Sequence, residues 1–598
     1  MGDEEQAKAL FFEALDFLDR KDFAAAEVRL REALRIVPYR VSALTNLAIA
    51  LGRQGKLAEA IVAAERAVDL APDNLDGWLA FGSALTEVRL LDEALAAMNA
   101  AISRAPENAA VLAARGKVFG TMGQFDSAVA DLEAALKIDP SPAEVRAMLF
   151  SAKLQACDWR GLDIVIDTLL AQLRNEDAAF NPHILFGIPS TPADHLICAS
   201  RFSARRHPAM APLYRGERYD NERVRIAYVS GDFRQHPLPQ LLAGTFEHHD
   251  RDRFETIGIS FGVDDQSPIR ERISKSFDRF IDVRGTSDAD IAALIHRERI
   301  DIAVDLGGFT NGGRPGVFAM RPAPIQVSYL GFAGTSGSPY LDYIIADRIV
   351  IPEQEYRYYT EKIVWMPDTY YPHDSRRAIA PITPTREEEG LPHTGFVFGS
   401  FNNSRKLLPE IFGVWMHLLK EVEGSVLWLL QASDTARARL RQEAEASGVS
   451  PTRLVFALRA PTERHLARQR LADLLLDSPV RNAHTTTCDA LWAGVPILTL
   501  TGQTFPGRVA TSILLAAGLP ELVTQSFDAY VVAALRLARQ PAALARVRER
   551  VASCRRSPLF DTALYTRHLE AAYFGMVERH RQGDVPAAIQ VPAEAPNL

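Results

Sequence analysis

A 34-residue repeat in the first quarter of the chain constrains its fold more than any other feature. Small residues at a fixed phase let paired helices approach closely, and a proline ends the second helix of each pair. The spacing therefore predicts about four stacked helix pairs within residues 1–140. The repeated positions are Pro38, Pro72, Pro106 and Pro140, with Ala26, Ala60, Ala94 and Ala128, and with Ala33, Ala67, Ala101 and Ala135.

A period of 34 residues is typical of tetratricopeptide repeats, which stack into an α-solenoid. The concave surface of such a solenoid usually binds a protein or peptide partner, although the repeats can also be a scaffold with no ligand of their own. Residues 141–222 have the pattern of helices and loops, and we interpret them as a helical adaptor.

From residue 223 onward, short apolar runs alternate with helical segments. Continuous apolar strands between helices indicate parallel sheets that are covered on both faces. The sequence therefore predicts two Rossmann-like domains, residues 223–375 and 376–580, followed by a disordered tail at 581–598. The candidate strands are 224–230, 255–261, 300–308, 325–331 and 343–347, and, after a break at 373–392, 396–403, 425–431, 453–458, 471–478 and 495–500.

Composition excludes several classes of protein. A formal charge of −8 gives no sign of a surface for nucleic acid. No apolar run approaches the ~18 residues of a membrane span, and the first residues do not resemble a signal peptide. Four cysteines spread over 598 residues argue against a zinc site and a disulfide framework. We therefore expect a cytoplasmic protein.

The common nucleotide and metal motifs are missing. Neither G-x-G-x-x-G nor G-x-x-x-x-G-K-[ST] occurs, which disfavours a dehydrogenase or a P-loop enzyme, and H-E-x-x-H does not occur. Two D-x-D triplets, 250–252 and 288–290, are interpreted as a turn or a helix start rather than as a metal site.

Polar loops follow several of the predicted strands. Asp232 and His236 come after the first strand, and Asn403 and Lys406 come after the strand at 396–403. Each loop alone is more often a structural turn than a site. Ligands of parallel sheets bind beyond the carboxyl ends of the strands, so all of these loops would face the same cleft.

The stretch HTTTCDALWAG, residues 484–494, opens a helix directly after a buried strand. A helix N-terminus presents unpaired N–H groups and suits an anion, and Thr485 and Thr486 add hydroxyl donors. Asp489, one turn later, suits the hydroxyls of a ribose. The alternative is that a threonine caps the helix and nothing more.

Several long stretches resemble the catalytic half of the O-GlcNAc transferases. They are VRIAYVSGDFRQHP, GGRPGVFAMRPAPIQVSYLGFAGTSGSPYLDYIIAD, FNNSRKLLPEIFGVW, SVLWLL and LADLLLDSPVRNAHTTTCDALWAGVPILTLTGQTFPGRVA. That family consists of inverting, metal-independent glycosyltransferases of the GT-B fold, with tetratricopeptide repeats ahead of the catalytic region. The resemblance implies an α-solenoid followed by two Rossmann-like lobes, and it covers nearly the whole chain.

The resemblance also implies roles for the polar loops. His236 matches a histidine beside the reacting centre, and Lys406 matches the lysine that neutralises the diphosphate. Asn403 stands where a glutamine is common. The proton of the acceptor hydroxyl then goes either to His236 or to the donor phosphate, and the sequence leaves both open.

Further residues match the family's nucleotide-sugar site. His465 matches a histidine that stacks on uracil, near Ala460, and Asp489 matches the carboxylate on the uridine ribose. The matched diphosphate turn is His484, Thr485 and Thr486, and the loop implied to lie near the sugar is Gly334, Thr335, Ser336 and Gly337.

Three positions depart from the family pattern. Thr462 replaces a lysine that is often found near the uridine, and Asn46 recurs as Ala80 and Ala114, so an asparagine ladder for acceptor peptides is not kept. Recognition of the acceptor is therefore not carried over from the family.

The leading hypothesis is a transferase that moves GlcNAc from UDP-GlcNAc to Ser or Thr hydroxyls of a protein held by the repeats. Under this hypothesis we expect the protein to use no cofactor and no metal and to bind no nucleic acid. One alternative keeps the fold and changes the donor or the acceptor, for example a nonulosonate placed on flagellin. Another is a repeat adaptor whose transferase half is catalytically silent.

Overall fold

A computed structural model of the chain describes residues 2–593. These residues form two compact units. The first contains the residues up to Lys153 and the short segment Gly285–Asp290, and the second contains Leu154–Arg284 and the chain from Ile291 onward. Within residues 2–593, no helix combines the length and the apolar character that a bilayer crossing needs.

The helices alternate with strands only in the second unit. In chain order they are α1 (Asp3–Asp19), α2 (Phe23–Ile36), α3 (Val41–Arg53), α4 (Leu57–Leu70), α5 (Leu75–Glu87), α6 (Leu91–Arg104), α7 (Ala109–Met122), α8 (Phe125–Ile138), α9 (Ala143–Ala156), α10 (Leu162–Asn175), α11 (Pro192–Arg206), α12 (Pro237–Glu247), α13 (Pro268–Ser276), α14 (Asp288–Arg297), α15 (Pro315–Ala319), α16 (Pro409–Glu421), α17 (Asp434–Ala446), α18 (Thr462–Gln469), α19 (His484–Ala493), α20 (Val509–Ala516), α21 (Phe527–Arg539), α22 (Pro541–Ser553) and α23 (Thr562–Arg581).

The strands are short and lie in two sheets. They are β1 (Val224–Ser230), β2 (Phe254–Ser260), β3 (Arg279–Asp282), β4 (Ile302–Asp305), β5 (Ile325–Ser328), β6 (Tyr343–Asp347), β7 (Lys362–Met366), β8 (Val397–Ser400), β9 (Val426–Leu430), β10 (Leu454–Ala457), β11 (Leu474–Leu476), β12 (Ile497–Leu500), β13 (Val523–Thr524) and β14 (Ile589–Gln590).

The first unit is the predicted stack of helix pairs. The four alanines Ala26, Ala60, Ala94 and Ala128 are fully buried where the helices meet. A small residue is also needed at Gly116, since a Cβ there would lie 2.8 Å from Cγ of Leu132 and 3.4 Å from the carbonyl oxygen of Ala128. Helices α2 and α4 end two residues before Pro38 and Pro72, as expected of a residue that cannot continue a helix.

The second unit contains two sheets in which every strand pair is parallel. The larger sheet has the order β14-β7-β6-β5-β4-β1-β2-β3, and the smaller has the order β10-β9-β8-β11-β12-β13. The central strands β4, β5, β8 and β12 are buried at every residue. The predicted fold class, an α-solenoid followed by an α/β region with two sheets, is confirmed.

The end of the chain returns to the first sheet. Helix α23 packs against α12, β5 and β7, and the ring of Phe574 lies 4.6 Å from that of Phe254. Strand β14 then pairs with β7. The prediction of a disordered tail at 581–598 is wrong for β14, whose two residues extend the sheet edge, and residues 594–598 lie outside the described part of the chain.

A buried chain of hydrogen bonds attaches α23 to the first sheet. Oε1 of Glu570 lies 2.9 Å from Nδ1 of His249 and accepts from the backbone N–H of Asp250 at 2.8 Å. Nε2 of His249 lies 2.8 Å from the hydroxyl of Tyr228 on β1. Because the carboxylate holds the proton on Nδ1, Nε2 is the acceptor for the tyrosine.

We expect Glu570→Ala to lower the free energy of unfolding by about 3 kcal/mol, because it leaves two buried donors without an acceptor. Thermal denaturation followed by circular dichroism measures the effect. The matched control is Glu578→Ala, since Glu578 is exposed on the same helix. Equal melting curves for the two variants would contradict the assigned role of Glu570.

Candidate active site

The loops after the central strands meet the condition for a ligand site in an open parallel sheet. From β8 the chain goes to one side for β9 and β10 and returns to the other side for β11. The same reversal separates β1 from β4 in the larger sheet. Ligands bind outside the carboxyl ends of the strands at such a reversal. The loops after β8, β11, β1 and β4 therefore form the candidate active site.

A buried carboxylate organises the loop after β11. Asp477 follows that strand directly, and its Oδ1 accepts from the backbone N–H groups of Ser478 at 2.8 Å and Ala483 at 2.7 Å. Its Oδ2 accepts from the hydroxyl of Thr499 at 2.7 Å. These bonds fold the loop back onto the strand end and fix the start of α19. Asp477 is not among the site residues predicted from the sequence motifs.

The N-terminus of α19 carries no side-chain cap. Ala483 occupies the N-cap position, and the hydroxyl of Thr487 donates to its carbonyl, not to a helix N–H group. The interpretation of a threonine N-cap is therefore wrong. The first N–H groups of a helix have no acceptor within the helix, so those of this first turn are available to an anion.

Lys406 reaches the same place from the loop after β8. Its Nζ donates to the carbonyl of Asn482 at 2.7 Å and to Oδ1 of Asn402 at 3.1 Å. Burial, and then the charge of Arg481, lower the pKa of the Lys406 ammonium to about 7, although Asp477 opposes the shift. Burial likewise raises the pKa of the Asp477 carboxyl to about 6. The ammonium is thus desolvated before a ligand arrives.

Two arginines flank Lys406 that the sequence analysis did not identify. Arg405 precedes it in the chain, and Arg481 lies in the loop closed by Asp477. Burial and the neighbouring Arg405 lower the pKa of Arg481 to about 9, and burial lowers the pKa of Arg405. Burial and the charges of Lys406 and Arg481 hold the pKa of His484 well below its usual value.

Side chains from the segment after β7 contact α19. The hydroxyl of Tyr371 lies 2.8 Å from that of Thr485. Nη1 of Arg377 donates to Oδ1 of Asp489 at 2.6 Å, and both side chains are largely buried. The predicted ribose carboxylate is therefore held by an arginine at one oxygen. Oδ2 is the atom that would accept from a ribose.

His465 lies on α18 with a fixed orientation. Nη2 of Arg468 lies 2.9 Å from its Nδ1, and the rings of His465 and Phe401 lie edge to face with centroids 5.1 Å apart. An arginine donates only, so Nδ1 accepts and Nε2 carries the proton. Burial and the Arg468 charge lower the pKa of His465 to about 4. The ring is a neutral, half-buried plane, as a base-stacking residue requires.

His236 caps α12 after β1. Its Nδ1 accepts from the backbone N–H of Leu238 at 3.3 Å and lies 3.7 Å from Oδ2 of Asp232. The first contact places the proton of the neutral ring on Nε2, whereas the second favours a proton on Nδ1. Burial lowers the pKa of His236, so the ring is neutral near pH 7.

The loop Gly334–Gly337 is buried, and its polar groups bond to Glu361. The hydroxyl of Thr335 donates to Oε2 of Glu361 at 2.7 Å, and the N–H of Ser336 donates to Oε1 at 2.6 Å. A Cβ at Gly334 would meet the ring of Phe186 at 3.8 Å. The hydroxyl of Thr335 and the N–H of Ser336 are thus already bonded within the protein, and the ring of Phe186 stacks on that of Phe332 with centroids 4.9 Å apart.

The remaining predicted residues lie at the rim. Asn403 is exposed, and its Oδ1 accepts from the N–H of Arg405 at 3.0 Å. Ala460 is half-buried in the loop between β10 and α18. The hydroxyl of Thr462 accepts from Nε2 of Gln240 at 3.2 Å, which joins α12 of the first sheet to α18 of the second.

The charged groups follow an order along the site. Asp489 lies about one turn along α19 from Thr485 and Thr486, and its charge influences the pKa of His465. Tyr371 lies against Thr485 and, at 6.3 Å between ring centroids, against His484. The charges of Lys406 and Arg481 lower the pKa of His484, so His484 lies close to both side chains. An elongated ligand would therefore extend from His465 and Asp489 to the cations at Lys406.

Groups that could hold a metal are absent from the described chain. No cluster of three or more His, Cys, Asp or Glu side chains with that capacity lies within residues 2–593. The two D-x-D triplets lie in a turn after α12 and at the start of α14.

Residues 195–384 and 377–569 match the family model described as Glycosyl transferase family 41. The chain belongs to glycosyl transferase family 41. Two segments of its first unit, 41–74 and 109–142, match the tetratricopeptide repeat model. The resemblance stated from the sequence motifs is thereby confirmed at the level of the family.

Several named proteins are similar to this chain. The probable UDP-N-acetylglucosamine–peptide N-acetylglucosaminyltransferase SEC of Arabidopsis thaliana is 39% identical over 404 residues, 66% of this chain and 41% of that protein. The UDP-N-acetylglucosamine–peptide N-acetylglucosaminyltransferase of Caenorhabditis elegans is 27% identical over 71% of this chain and 48% of that protein. The chain thus spans less than half the length of these relatives.

A solved structure resembles almost the whole chain. It is a mutant of the O-GlcNAc transferase of Thermobaculum terrenum, with a TM-score of 0.67 and 28% identity. The match covers 91% of this chain and 98% of that one.

We expect Asp477→Ala to open the loop before α19. It removes the acceptor of two backbone N–H groups, so the local free energy of opening falls by about 3 kcal/mol. Hydrogen exchange read by mass spectrometry should show faster exchange at residues 478–486. The control is Asp528→Ala, an exposed aspartate on α21 in the same lobe. Unchanged exchange in Asp477→Ala would refute the structural role of this carboxylate.

Proposed function

We propose that the chain transfers a sugar from a nucleoside diphosphate donor to a hydroxyl of a protein, with GlcNAc, UDP-GlcNAc and Ser or Thr as sugar, donor and acceptor. The observation that carries this proposal is the alignment of Lys406, the uncapped start of α19, Asp489 and His465 along one edge. A diphosphate, a ribose and a base have the same order in the donor. The names of the similar proteins from Arabidopsis thaliana and Caenorhabditis elegans suggest UDP-GlcNAc as the donor and a peptide as the acceptor.

The proposed reaction is a direct displacement with inversion. The acceptor oxygen forms a bond to the anomeric carbon from the face opposite the diphosphate, and the bond between that carbon and the phosphate oxygen breaks. The electron pair of this bond leaves with UDP, whose growing negative charge is stabilised by Lys406 and by the first N–H groups of α19. The proposal therefore requires no metal and no cofactor.

The hydroxyl proton has two acceptors in this scheme. In the tautomer with Nδ1–H directed to Asp232, Nε2 of His236 takes the proton. In the tautomer with Nε2–H, the ring donates instead, and the donor phosphate takes the proton. The competing contacts of Nδ1 with Asp232 and Leu238 make both tautomers available.

Partners and compartment complete the proposal. The tetratricopeptide repeats of the first unit would present the acceptor protein. A cytoplasmic location is consistent with four free and buried cysteines, which form no disulfide.

A different donor is the second candidate function. The half-buried arginines Arg405 and Arg481 lie next to Lys406, and a sugar that carries its own negative charge would suit them. This candidate keeps the fold, the displacement and the protein acceptor. A catalytically silent repeat adaptor is disfavoured, because a silent site needs no desolvated lysine beside an uncapped helix.

We expect Lys406→Ala to abolish transfer. The purified protein is incubated with UDP-GlcNAc and host lysate, and mass spectrometry detects acceptors that gain one N-acetylhexosamine. The rate should fall at least a hundredfold in the variant, since the leaving diphosphate loses a charged donor worth about 3 kcal/mol. Lys420→Ala on α16, an exposed lysine of the same lobe, should transfer normally. A gain that matches another sugar would overturn the donor assignment.

We expect the affinity for UDP-GlcNAc to fall about tenfold between pH 6.5 and pH 8.5. The pKa of Lys406 is about 7 in the free protein, so the ammonium loses its proton as the pH rises, while both phosphates of the ligand stay ionised. Burial keeps His465 and His484 neutral over this range. Isothermal titration calorimetry provides the measurement, and Lys406→Arg should flatten the profile. A flat wild-type profile would exclude Lys406 as the titrating group.

A further inference from the structure

Two arginines of the candidate site have no counter-charge. Arg405 and Arg481 form no ion pair with any described residue, and the Nε atom of each is buried without a hydrogen-bond partner. The carboxylate of Asp477, which influences the pKa of the neighbouring Lys406, already accepts from two backbone N–H groups and a threonine hydroxyl. Buried cations without partners are costly, and such sites in proteins are completed by an anion.

The pair lies at a defined end of the site. Burial, and then the charges of Arg481 and Arg405, lower the pKa of His183, which lies in the segment before α11. The guanidinium of Arg481 lies over the ring of Phe186, 5.5 Å from its centroid. His465 and Asp489 pair with other arginines, Arg468 and Arg377. With its base at His465 and its ribose at Asp489, a nucleotide would direct its phosphates toward Lys406 and the two unpaired arginines.

The two guanidinium groups are suited to an oxyanion. Each presents donors in a planar fork that matches carboxylate and phosphate oxygens, and the face of Phe186 restrains one of them. Lys406, with a pKa of about 7, adds a partial positive charge to the two guanidinium groups, so the three side chains keep a net positive charge at neutral pH even with Asp477 ionised. An uncharged ligand would leave that charge buried.

We propose that Arg405 and Arg481 form an anion subsite that binds a negatively charged group of the donor next to the bond that breaks. The inference rests on the proposed function, since it assumes that a nucleotide sugar lies along the site. One ligand chemistry, an oxyanion, has two sources here. It is either the second phosphate of the donor or a carboxylate on the transferred sugar.

Calorimetry with matched ligands separates the two sources. UDP and UMP differ by the second phosphate, and UDP-glucuronate and UDP-glucose differ by a carboxylate. The proteins are the full-length wild type, Arg405→Ala, Arg481→Ala and the control Arg546→Ala, an exposed arginine on α22 of the same lobe. We expect each site variant to lose about tenfold in affinity for the ligand that engages the subsite.

The pattern of losses identifies the source. If the second phosphate occupies the subsite, the preference for UDP over UMP shrinks in both site variants, and the carboxylate makes no difference. If a sugar carboxylate occupies it, wild type prefers UDP-glucuronate to UDP-glucose, and that preference disappears in the variants. Wild-type preferences that survive both substitutions would overturn the subsite.

Two further measurements distinguish loss of the anion subsite from loss of stability and from loss of the nucleotide site. Thermal denaturation should show no loss of stability in Arg405→Ala or Arg481→Ala, because each removes one of two mutually repelling buried charges; a marked loss would indicate a structural role instead. Inorganic pyrophosphate tests the subsite without a nucleotide. If wild type binds pyrophosphate better than the variants but shows no preference for UDP over pyrophosphate, the nucleotide assignment fails and the anion subsite stands.

Discussion

The carboxylate of Asp477 is the interaction on which the candidate site depends. Asp477 is buried directly after β11, and its carboxylate accepts from the N–H of Ala483, the residue before α19. This hydrogen bond closes the loop 478–483 and so sets the position of the helix N-terminus. It also places Arg481 and the carbonyl of Asn482, which accepts from Lys406. A loop of six residues thus becomes a rigid base for an anion site, because one side chain satisfies both of its ends.

Parallel strands explain why residues from distant parts of the sequence meet. Every strand of a sheet ends on the same edge, so the loops after β8 and β11 are neighbours although 76 positions separate Lys406 from Asn482. The segment after β7 then crosses to the second sheet, where Arg377 and Tyr371 contact α19. The return of α23 to the first sheet closes the chain on itself.

The sequence was sufficient for the solenoid, both sheets and most of the residues in the polar loops, because periodicity and apolar runs report local structure. Strands β1 and β6 begin and end where the apolar runs do. The sequence was insufficient to predict contacts between residues that lie far apart in the chain. The partner of Asp489 lies 112 residues away in a segment without a motif, and β14 has only two residues whose pairing with β7 depends on α23. The threonine cap failed for a related reason, since Asp477, outside the helix pattern, fixes the helix start.

Charge is distributed along the site in a way that bears on catalysis. At the end with His465 and Asp489, each charged or titratable group has an internal partner, Arg468 and Arg377, so this end is rigid and nearly neutral. At the other end, Lys406 lies near one carboxylate, Asp477, that is already engaged, and Arg405 and Arg481 form no ion pair with any described residue. Under the proposed function, binding energy from the first end would position a donor, and the cations at the other end would stabilise the negative charge of its phosphates. The proposed transfer would then depend on how closely these cations approach the oxygen on which charge grows as the leaving diphosphate departs.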